Sequence, residues 1–274
     1  MNDFRGDCSY LGDVLIKTDQ DFGMGLITLL SDFGLRDSYV GVMKGVIYGI
    51  YPGATLVDLS HEVLPQDVMG GRFQLLMAEP YFPEGTVHVA VVDPGVGTSR
   101  RSIAFTTGRS MFVGPDNGLL VLDRQSIVSA VELDRPEFWR LSSHASISSA
   151  TFQGRDIFAA VGAHLAQGVP LERVGRSIDP ASLVELGLPK NAVQAIDRFG
   201  NCITTVVASG LGWQVRVRGR VLRSVRTYGD AELGEAIALV GSHGFVEIAV
   251  NGGTAQGKLG VQVGDPIEMI PPLF

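Results

Sequence analysis

The sequence has little cysteine, few positive charges and no long apolar run. Its two cysteines, Cys8 and Cys202, lie outside any CxxC motif or Cys/His cluster, so neither a disulfide framework nor a structural zinc site is expected. The five histidines show no HExxH or other metal-ligand spacing. No apolar run reaches the roughly 18 residues of a membrane span, and the N-terminus lacks the apolar region of a secretory signal. These absences predict a cytoplasmic protein.

Acidic residues outnumber basic ones. The chain carries 29 Asp and Glu against 22 Lys and Arg, a formal net charge of −7. That balance argues against nucleic acid or an anionic membrane as the main partner, and it is compatible with a small cationic ligand. Hydrophobic residues make up 45% of the chain and charged residues 19%. This composition predicts a sizeable packed core, in one large domain or two ordinary ones.

Short apolar strands alternate with helical patterns in the first half of the chain. A strand at residues 26–30 precedes a helix that begins at Asp37 or Ser38, and a strand at 54–57 precedes a helix over 67–78. With the strand at 87–92, this alternation predicts βαβ units in a Rossmann-like layered α/β domain with a mostly parallel sheet. Later elements are predicted as strands at 102–105, 111–113 and 131–133, a helix ending near 168, and a loop with a short helical piece over 170–189.

From about Ala192 the hydrophobic period changes to two. Val215 and Val217, and later Val246 and Ile248, alternate with polar residues between glycine-containing turns. The pattern predicts an all-β module, a small barrel or sandwich. We therefore expect an N-terminal extension over 1–23, an α/β domain over 24–188 and a barrel-like β domain over 189–274.

The stretch over residues 87–101 has the features of a functional site. A strand buried on both faces stops at Asp93, and ligands of open α/β sheets bind beyond the carboxyl ends of strands. Arg100 follows seven residues later, close enough for the loop to fold it back onto that carboxylate. The alternative is a turn in which Asp93 caps the backbone and Arg100 and Arg101 are solvated.

Seven short motifs then occur in a fixed order. They are SDFG (31–34), VVDPGVGT (91–98), GPDNGL (114–119), TFQGRD (151–156), FGN (199–201), GSHG (241–244) and NGG (251–253). Together they resemble the S-adenosyl-methionine hydroxide adenosyltransferase family, the relatives of fluorinase and chlorinase. The resemblance runs from about residue 25 to the C-terminus, and an ordered set of seven is far more specific than one motif.

The resemblance implies an architecture and a reaction. It implies an α/β domain followed by a β-barrel domain, in a homotrimer whose ligand sites lie between one subunit's first domain and its neighbour's second. It implies hydrolysis of S-adenosyl-methionine to adenosine and methionine by water or hydroxide at ribose C5′. No metal or cofactor is expected, because the sulfonium of the substrate is already an activated leaving group.

The same resemblance implies residue roles. Asp32 matches a residue that accepts hydrogen bonds from both ribose hydroxyls, and Asp37 and Ser38 face the amino-acid part of the substrate. Further substrate-binding positions are implied in the second half: Asn201 at the adenine, Phe199 in the same pocket or plugging the barrel, Ser242 at the methionine carboxylate, and Asn251 in the last motif. For Asp37, Ser38, Phe199, Asn201 and Ser242, ordinary turn chemistry remains the alternative.

The water-holding set departs from the family pattern at one position. Hydroxide-using members carry Asp, Arg and His; Asp93 and Arg100 match the first two, but Gln153 stands where the pattern FHGRD has His. Glutamine can orient a water but cannot take its proton at neutral pH. Two alternatives therefore stay open: a binding protein for S-adenosyl-methionine or a nucleoside with little catalysis, and an adenosyl halogenase. Asp93 opposes the second, since a carboxylate repels halide.

A third alternative comes from the residues alone. Asp32, Asp58 and Asp93 end successive predicted strands, which could indicate an aspartyl-nucleophile or metal-assisted phosphoryl enzyme. The missing P-loop and the β module make this the weakest interpretation.

Overall fold

A computed structural model describes residues 25–140 and 149–272, so the predicted extension over 1–23 lies outside the described residues. The elements are β1 (Leu26–Ser31), α1 (Tyr39–Ile50), β2 (Thr55–Ser60), α2 (Val68–Ala78), β3 (Val87–Val91), β4 (Ser102–Thr106), β5 (Met111–Pro115), β6 (Ser129–Glu132), a π-helix (Gly154–Ala159), α3 (Ala160–Ala166), β7 (Arg176–Ile178), β8 (Val193–Ile196), β9 (Cys202–Val207), β10 (Gln214–Val217), β11 (Arg220–Arg223), β12 (Ala236–Val240), β13 (Phe245–Val250), α4 (Ala255–Leu259) and β14 (Ile267–Ile270). Short 3-10 helices occupy Glu79–Tyr81, Arg124–Ser126, Pro136–Phe138, Leu171–Arg173, Pro180–Ser182 and Tyr228–Asp230. Among these described elements, no helix is both long and apolar enough to cross a membrane.

Seven strands of the first half form one mixed sheet in the order β2-β1-β3-β5-β4-β6-β7. The parallel pairing predicted for β1, β2 and β3 is confirmed. Strand β5 also pairs parallel with β3, whereas β4, β6 and β7 pair antiparallel. The antiparallel pairing of β4 with β5 follows from the short connection between them, because a parallel crossover needs a dozen or more residues. The register pairs Ser31 of β1 with Val91 of β3. The carboxyl ends of these two strands, followed by Asp32 and Asp93, therefore lie side by side.

Both faces of the sheet are covered. Val87, Val89 and Val91 of β3 pack into a core with α1 and α3, while Ala90 and Val92 point to the opposite core with Leu75 of α2. Successive side chains of a strand point to opposite faces, so a strand covered on both sides is apolar along most of its length. This is why residues 87–92 are apolar except for His88, which is buried and contacts the Thr28 hydroxyl.

Three details differ from the sequence-based expectations. Strand β2 continues to Ser60, so Asp58 lies inside the strand rather than at its end, and it pairs with Lys44 and His61. The segment expected as loop over 170–189 contains edge strand β7, which at three residues is too short to show a period. The predicted helix beyond residue 153 begins as a π-helix before it becomes α3.

The second half contains two antiparallel sheets, as the period of two predicted. One has the order β11-β10-β14 and the other β12-β13-β9-β8, and both contribute to a shared apolar core. Closure of these sheets into a barrel stays a prediction, as do the domain boundaries. The short helix α4 was not predicted. Phe73 of α2 packs against Ala195 and Ile203 and so joins the two halves of the chain.

Candidate functional site

Asp93 lies just beyond β3 and meets Arg100, as the loop-folding hypothesis predicted. The Arg100 Nη2 atom is 2.5 Å from Asp93 Oδ2, and the two side chains are 7% and 5% exposed. The backbone N–H of Gly95 donates to the other carboxylate oxygen at 3.2 Å. Arg100 is therefore buried against Asp93, which rules out the alternative of a solvated Arg100 in a simple turn.

The guanidinium of Arg100 also binds Gln153. The same Nη2 atom donates to Gln153 Oε1, while Nη1 donates to Ser102 Oγ at 3.1 Å. The guanidinium carbon lies 5.6 Å from the centre of the Phe158 ring. The three predicted catalytic residues, Asp93, Arg100 and Gln153, are thus brought together in one cluster.

The π-helix brings Gln153 to this cluster. Gln153 immediately precedes the π-helix Gly154–Ala159. Turns of π-helix are rare in proteins as a whole, but many of them occur at functional sites. At the same end of the helix, the buried Asp156 binds Arg155 and the backbone N–H of Ser149. These contacts tie residues 149–156 to one another, and the Gln153–Arg100 hydrogen bond ties the segment to the loop after β3.

Burial of Asp93 changes its acidity. Desolvation raises the pKa of Asp93 above its usual value, and the charge of Asp32 acts in the same direction. Arg100 and the Gly95 N–H oppose this rise but do not cancel it. A carboxylate with a raised pKa is a better proton acceptor, so Asp93 combines an ion pair with some basicity.

A cavity of about 380 Å³ opens beside the cluster. Its lining includes both Asp32 and Asp93, together with Gln153. Three aromatic residues complete the wall, with ring centres 5.2–5.8 Å apart: Phe33, Tyr39 and Phe152. Such a mixture of apolar wall and few convergent polar groups is typical of a small-molecule site.

A larger groove of about 520 Å³ lies elsewhere, beside α1 and α3. The described residues that line it include Trp139, Arg140 and His164 but no carboxylate. We take the smaller cavity as the candidate site, because it contains the buried Asp93–Arg100 pair.

The other predicted residues of the first half lie near the cavity to different extents. Asp32 lines it, and its Oδ2 atom accepts a 2.7 Å hydrogen bond from the backbone N–H of Gln66. Asp37 and Ser38 are exposed and do not line it. Ser38 stands at the start of α1, as predicted, but its side chain makes no capping hydrogen bond.

The predicted residues of the second half do not line this cavity within one chain. Asn201 is buried in a turn, where its side-chain amide donates to Asp197 Oδ2 at 3.0 Å. Phe199 is 73% exposed at the same turn, and Ser242 is exposed. The Asn251 amide donates to the backbone carbonyl of Ala231 at 2.9 Å. The turn alternative thus describes Asn201 well within a single chain.

Sequence reasoning assigned no role to several residues of the cavity and its cluster. Phe33 and Phe152 stood inside quoted motifs, and Tyr39 follows Ser38 directly, but an aromatic residue in a motif is more often core than ligand contact. Gln66 and Ser102 had no signal, because their roles depend on where neighbouring loops meet. The fold combines an α/β first half with an all-β second half. Its site is a buried carboxylate–guanidinium pair beside a cavity of the size of a small-molecule ligand.

Comparison with models of known families identifies the family of this chain. A model described as the SAM hydroxide adenosyltransferase N-terminal domain matches residues 27–175, and one described as the C-terminal domain of that family matches residues 191–268. The chain belongs to the SAM hydroxide adenosyltransferase family, as the seven motifs predicted.

Similar proteins extend over most of the chain. One named (R)-S-adenosyl-L-methionine hydrolase, from Thermus thermophilus, is 42% identical over 253 residues, which is 89% of this chain and 99% of the relative. Another of that name, from Methanocaldococcus jannaschii, is 34% identical over 90% of this chain and 96% of its own. A fluorinase from Actinoplanes sp. is more distant, at 28% identity over 84% and 92%. A solved structure of an uncharacterized conserved protein from Thermotoga maritima has a TM-score of 0.81 and 38% identity, covering 89% of this chain and 99% of that one.

Proposed function

We propose that this protein hydrolyses S-adenosyl-methionine to adenosine and methionine, with water attacking ribose C5′ opposite the sulfonium. The observation that carries the proposal is the buried cluster of Asp93, Arg100 and Gln153, which opens on the same cavity as Asp32. Relatives with 34–42% identity over most of the chain carry the name of this activity.

The reaction needs position more than activation of the leaving group. Methionine departs from a sulfonium as a neutral thioether, so neither a metal nor an acid has to expel it. In-line displacement depends on near-attack geometry, in which the reacting atoms are held about 3–3.5 Å apart. Asp32 holds the ribose by accepting from its hydroxyls, and this fixes C5′ relative to the end of β3.

The attacking water is held and deprotonated at the Asp93 cluster. Asp93 accepts the proton, for which its raised pKa suits it. Arg100 keeps the cluster electrically balanced and stabilises hydroxide character in the water. Because the carbonyl oxygen of Gln153 binds Arg100, the amide N–H of Gln153 is the group left to orient the water. The C5′–S bond breaks as the C5′–O bond forms, and the proton leaves through Asp93 to solvent.

The second half of the chain supplies the remaining substrate contacts from a neighbouring subunit. This part of the proposal is supported by the exposure of Phe199 and Ser242 and by the absence of both from the cavity of one chain. In a cytoplasmic homotrimer, the adenine then meets Phe199 and Asn201, and the amino-acid part lies between Ser242 and Asn251 on one side and Asp37 and Ser38 on the other.

The halogenase alternative conflicts with the buried carboxylate. Asp93 is an anion in the position where an incoming halide must lie, and like charges at short range repel strongly in a desolvated site. The phosphoryl-transfer alternative loses its third carboxylate, since Asp58 pairs with Lys44 and His61 rather than facing Asp93.

The decisive experiment follows the oxygen of the solvent. Incubation with S-adenosyl-methionine in H₂¹⁸O is expected to give methionine and adenosine with the label in the 5′-hydroxyl, identified by mass spectrometry beside adenosine and 5′-chloro-adenosine standards. Unlabelled adenosine would contradict attack by water at C5′. Tight binding in calorimetry with no product after long incubation would instead support the binding-protein alternative, which Gln153 favours.

Gln153→His tests that alternative directly. An imidazole in this position can accept the proton of the water, so we expect a higher kcat with an unchanged Kd for S-adenosyl-methionine. The measurement is single-turnover adenosine formation together with calorimetric binding, and Gln153→Asn serves as control because it shortens the amide without adding a base. An unchanged kcat in Gln153→His would show that Asp93 alone suffices as base.

A further inference from the structure

His61 holds the loop that carries Asp32. Its ring Nδ1 atom is 2.7 Å from the hydroxyl of Ser31, and its backbone carbonyl accepts a 2.7 Å hydrogen bond from the N–H of Gly34. His61 and Ser31 are 4% and 1% exposed. The single residue His61 thus contacts the loop on both sides of Asp32, once through its ring and once through its backbone.

The loop after His61 adds a third contact. Gln66, five residues further, donates its backbone N–H to the Asp32 carboxylate at 2.7 Å. Its φ of +66° lies in the left-handed region, which is uncommon for a residue with a side chain. Ser31 also accepts from the N–H of Phe33 at 3.3 Å, across Asp32 itself. Residues 61–66 and 31–34 therefore form one clamped pair of loops.

The proton positions on His61 follow from its second neighbour. The Nε2 atom lies 3.1 Å from Asp58 Oδ1, and Lys44 binds the other oxygen of Asp58 at 2.6 Å. A carboxylate only accepts, so the ring proton belongs on Nε2, although the N–H is not aligned well enough for a full hydrogen bond. In the neutral ring Nδ1 is then the acceptor, and the Ser31 hydroxyl donates to it.

We propose that His61 is a positioning residue for ribose recognition: through Ser31 and Gly34 it fixes the Asp32 carboxylate in the orientation that accepts from the ribose hydroxyls. The proposal rests on the proposed function, because it requires Asp32 to bind ribose. It predicts that removing the His61 ring lowers the affinity only for ligands that carry the ribose hydroxyls.

The chain contains a matched control for a purely structural role. His88 is 0% exposed, and its Nδ1 atom lies 2.7 Å from the hydroxyl of Thr28 on the same strand as Ser31. The second pair is again a hydroxyl and an imidazole, but the His88 side chain is hydrogen-bonded to Thr28 and, in the part of the chain that the structure describes, to neither loop of the clamp. His61→Leu and His88→Leu therefore remove equivalent buried hydroxyl–imidazole bonds at different distances from Asp32.

The experiment compares adenosine with 2′,3′-dideoxyadenosine, by calorimetry on the full chain. We expect the wild type to prefer adenosine and His61→Leu to bind adenosine roughly tenfold more weakly, the size of one charge-assisted hydrogen bond. Binding of the dideoxy ligand should change less than about twofold, and His88→Leu should keep the wild-type preference. His61→Asn, which places an amide oxygen where Nδ1 accepts, should restore most of the preference.

Two other results overturn the idea in distinguishable ways. If the wild type prefers adenosine and His61→Leu keeps that preference, the positioning role is wrong while the proposed function stands. If the wild type binds neither adenosine nor S-adenosyl-methionine, the proposed function fails and this role fails with it. Ser31→Ala, which removes only the hydroxyl partner, must lose the preference in the same way, and it provides the test should His61→Leu not fold.

Discussion

At the scale of single residues, the site depends on the two terminal nitrogens of the Arg100 guanidinium. Arg100 reaches Asp93 and Gln153 through Nη2 and Ser102 through Nη1. A lysine ammonium is a point charge on a flexible stem and cannot hold the same acceptors in a plane. The orientation of Asp93 and Gln153 therefore depends on Arg100 as much as their charge balance does.

Replacing Arg100 should change both rate and pH dependence. In Arg100→Met we expect kcat to fall on the order of 10²-fold, because the water loses its cationic neighbour. Arg100 lowers the pKa of Asp93, so its removal raises that pKa, and the acid limb of kcat/KM moves to higher pH, where Asp93 first becomes ionised. Arg176→Met, at an exposed surface pair, is the control. An acid limb that stays in place would show that Asp93 is not the base.

At the scale of elements, the sequence predicts the helices and strands that show a repeating apolar pattern, and it misses the elements that are too short to show one. Strands β1 and β3 and helix α2 were predicted within two residues of their bounds, since each carries a clear apolar pattern. Edge strand β7 has three residues and the π-helix six. Neither is long enough to show a period, and a π turn differs from an α turn only in which carbonyl its N–H groups reach.

The residues of the candidate site also differ in how far the sequence predicts them. Asp93 and Arg100 are seven residues apart in one loop, so their meeting was predictable from chain geometry. Gln153 came from the family resemblance, and Gln66 escaped prediction because its contribution is a backbone N–H in an unusual conformation. A side-chain type carries no information about such a bond.

Two glycines in helices allow opposite stability predictions. A Cβ at Gly162 of α3 would lie 2.5 Å from Val89 Cγ2 in β3, whereas a Cβ at Gly41 of α1 would meet no atom within 4 Å among the described residues. We expect Gly162→Ala to lower the free energy of unfolding by about 1–3 kcal/mol through overpacking. Gly41→Ala should raise it by about 0.5–1 kcal/mol, as alanine in a helix interior does. Urea unfolding of both variants measures this, and equal effects would contradict the close contact of α3 with β3.

At the scale of the whole molecule, the predicted ligand contacts fall into two separate groups. Asp32 and Asp93 line the cavity, while Ser242 belongs to a turn of the second half that does not reach it in the same chain. Phe73 joins the halves through an edge-on contact with His243 and a tilted contact with Phe245, and these contacts hold the Ser242 turn against α2 of the same chain. If Ser242 binds substrate, the cavity that it completes belongs to another copy.

Mixing two inactive variants tests this shared site. Asp93→Asn removes the base, and Ser242→Asp places a charge that repels the methionine carboxylate, so each variant alone is expected to be inactive. In oligomers assembled from equal amounts of both, about a quarter of the sites combine two intact halves, and adenosine formation should recover to that fraction of the wild-type rate. Either variant mixed with itself is the control. No recovery would mean that each chain builds its site alone.

The burial of Asp93 and Arg100 also limits how such a protein can change its nucleophile over evolutionary time. Losing one partner of a buried ion pair leaves an uncompensated charge, which costs about 3–5 kcal/mol, much of the total stability of an ordinary domain. Losing both partners together keeps the interior neutral. A lineage that moves from solvent oxygen to another attacking species therefore has no gradual route through this position. The Asp93 carboxylate and the Arg100 guanidinium must be exchanged together, or the fold must first gain stability elsewhere.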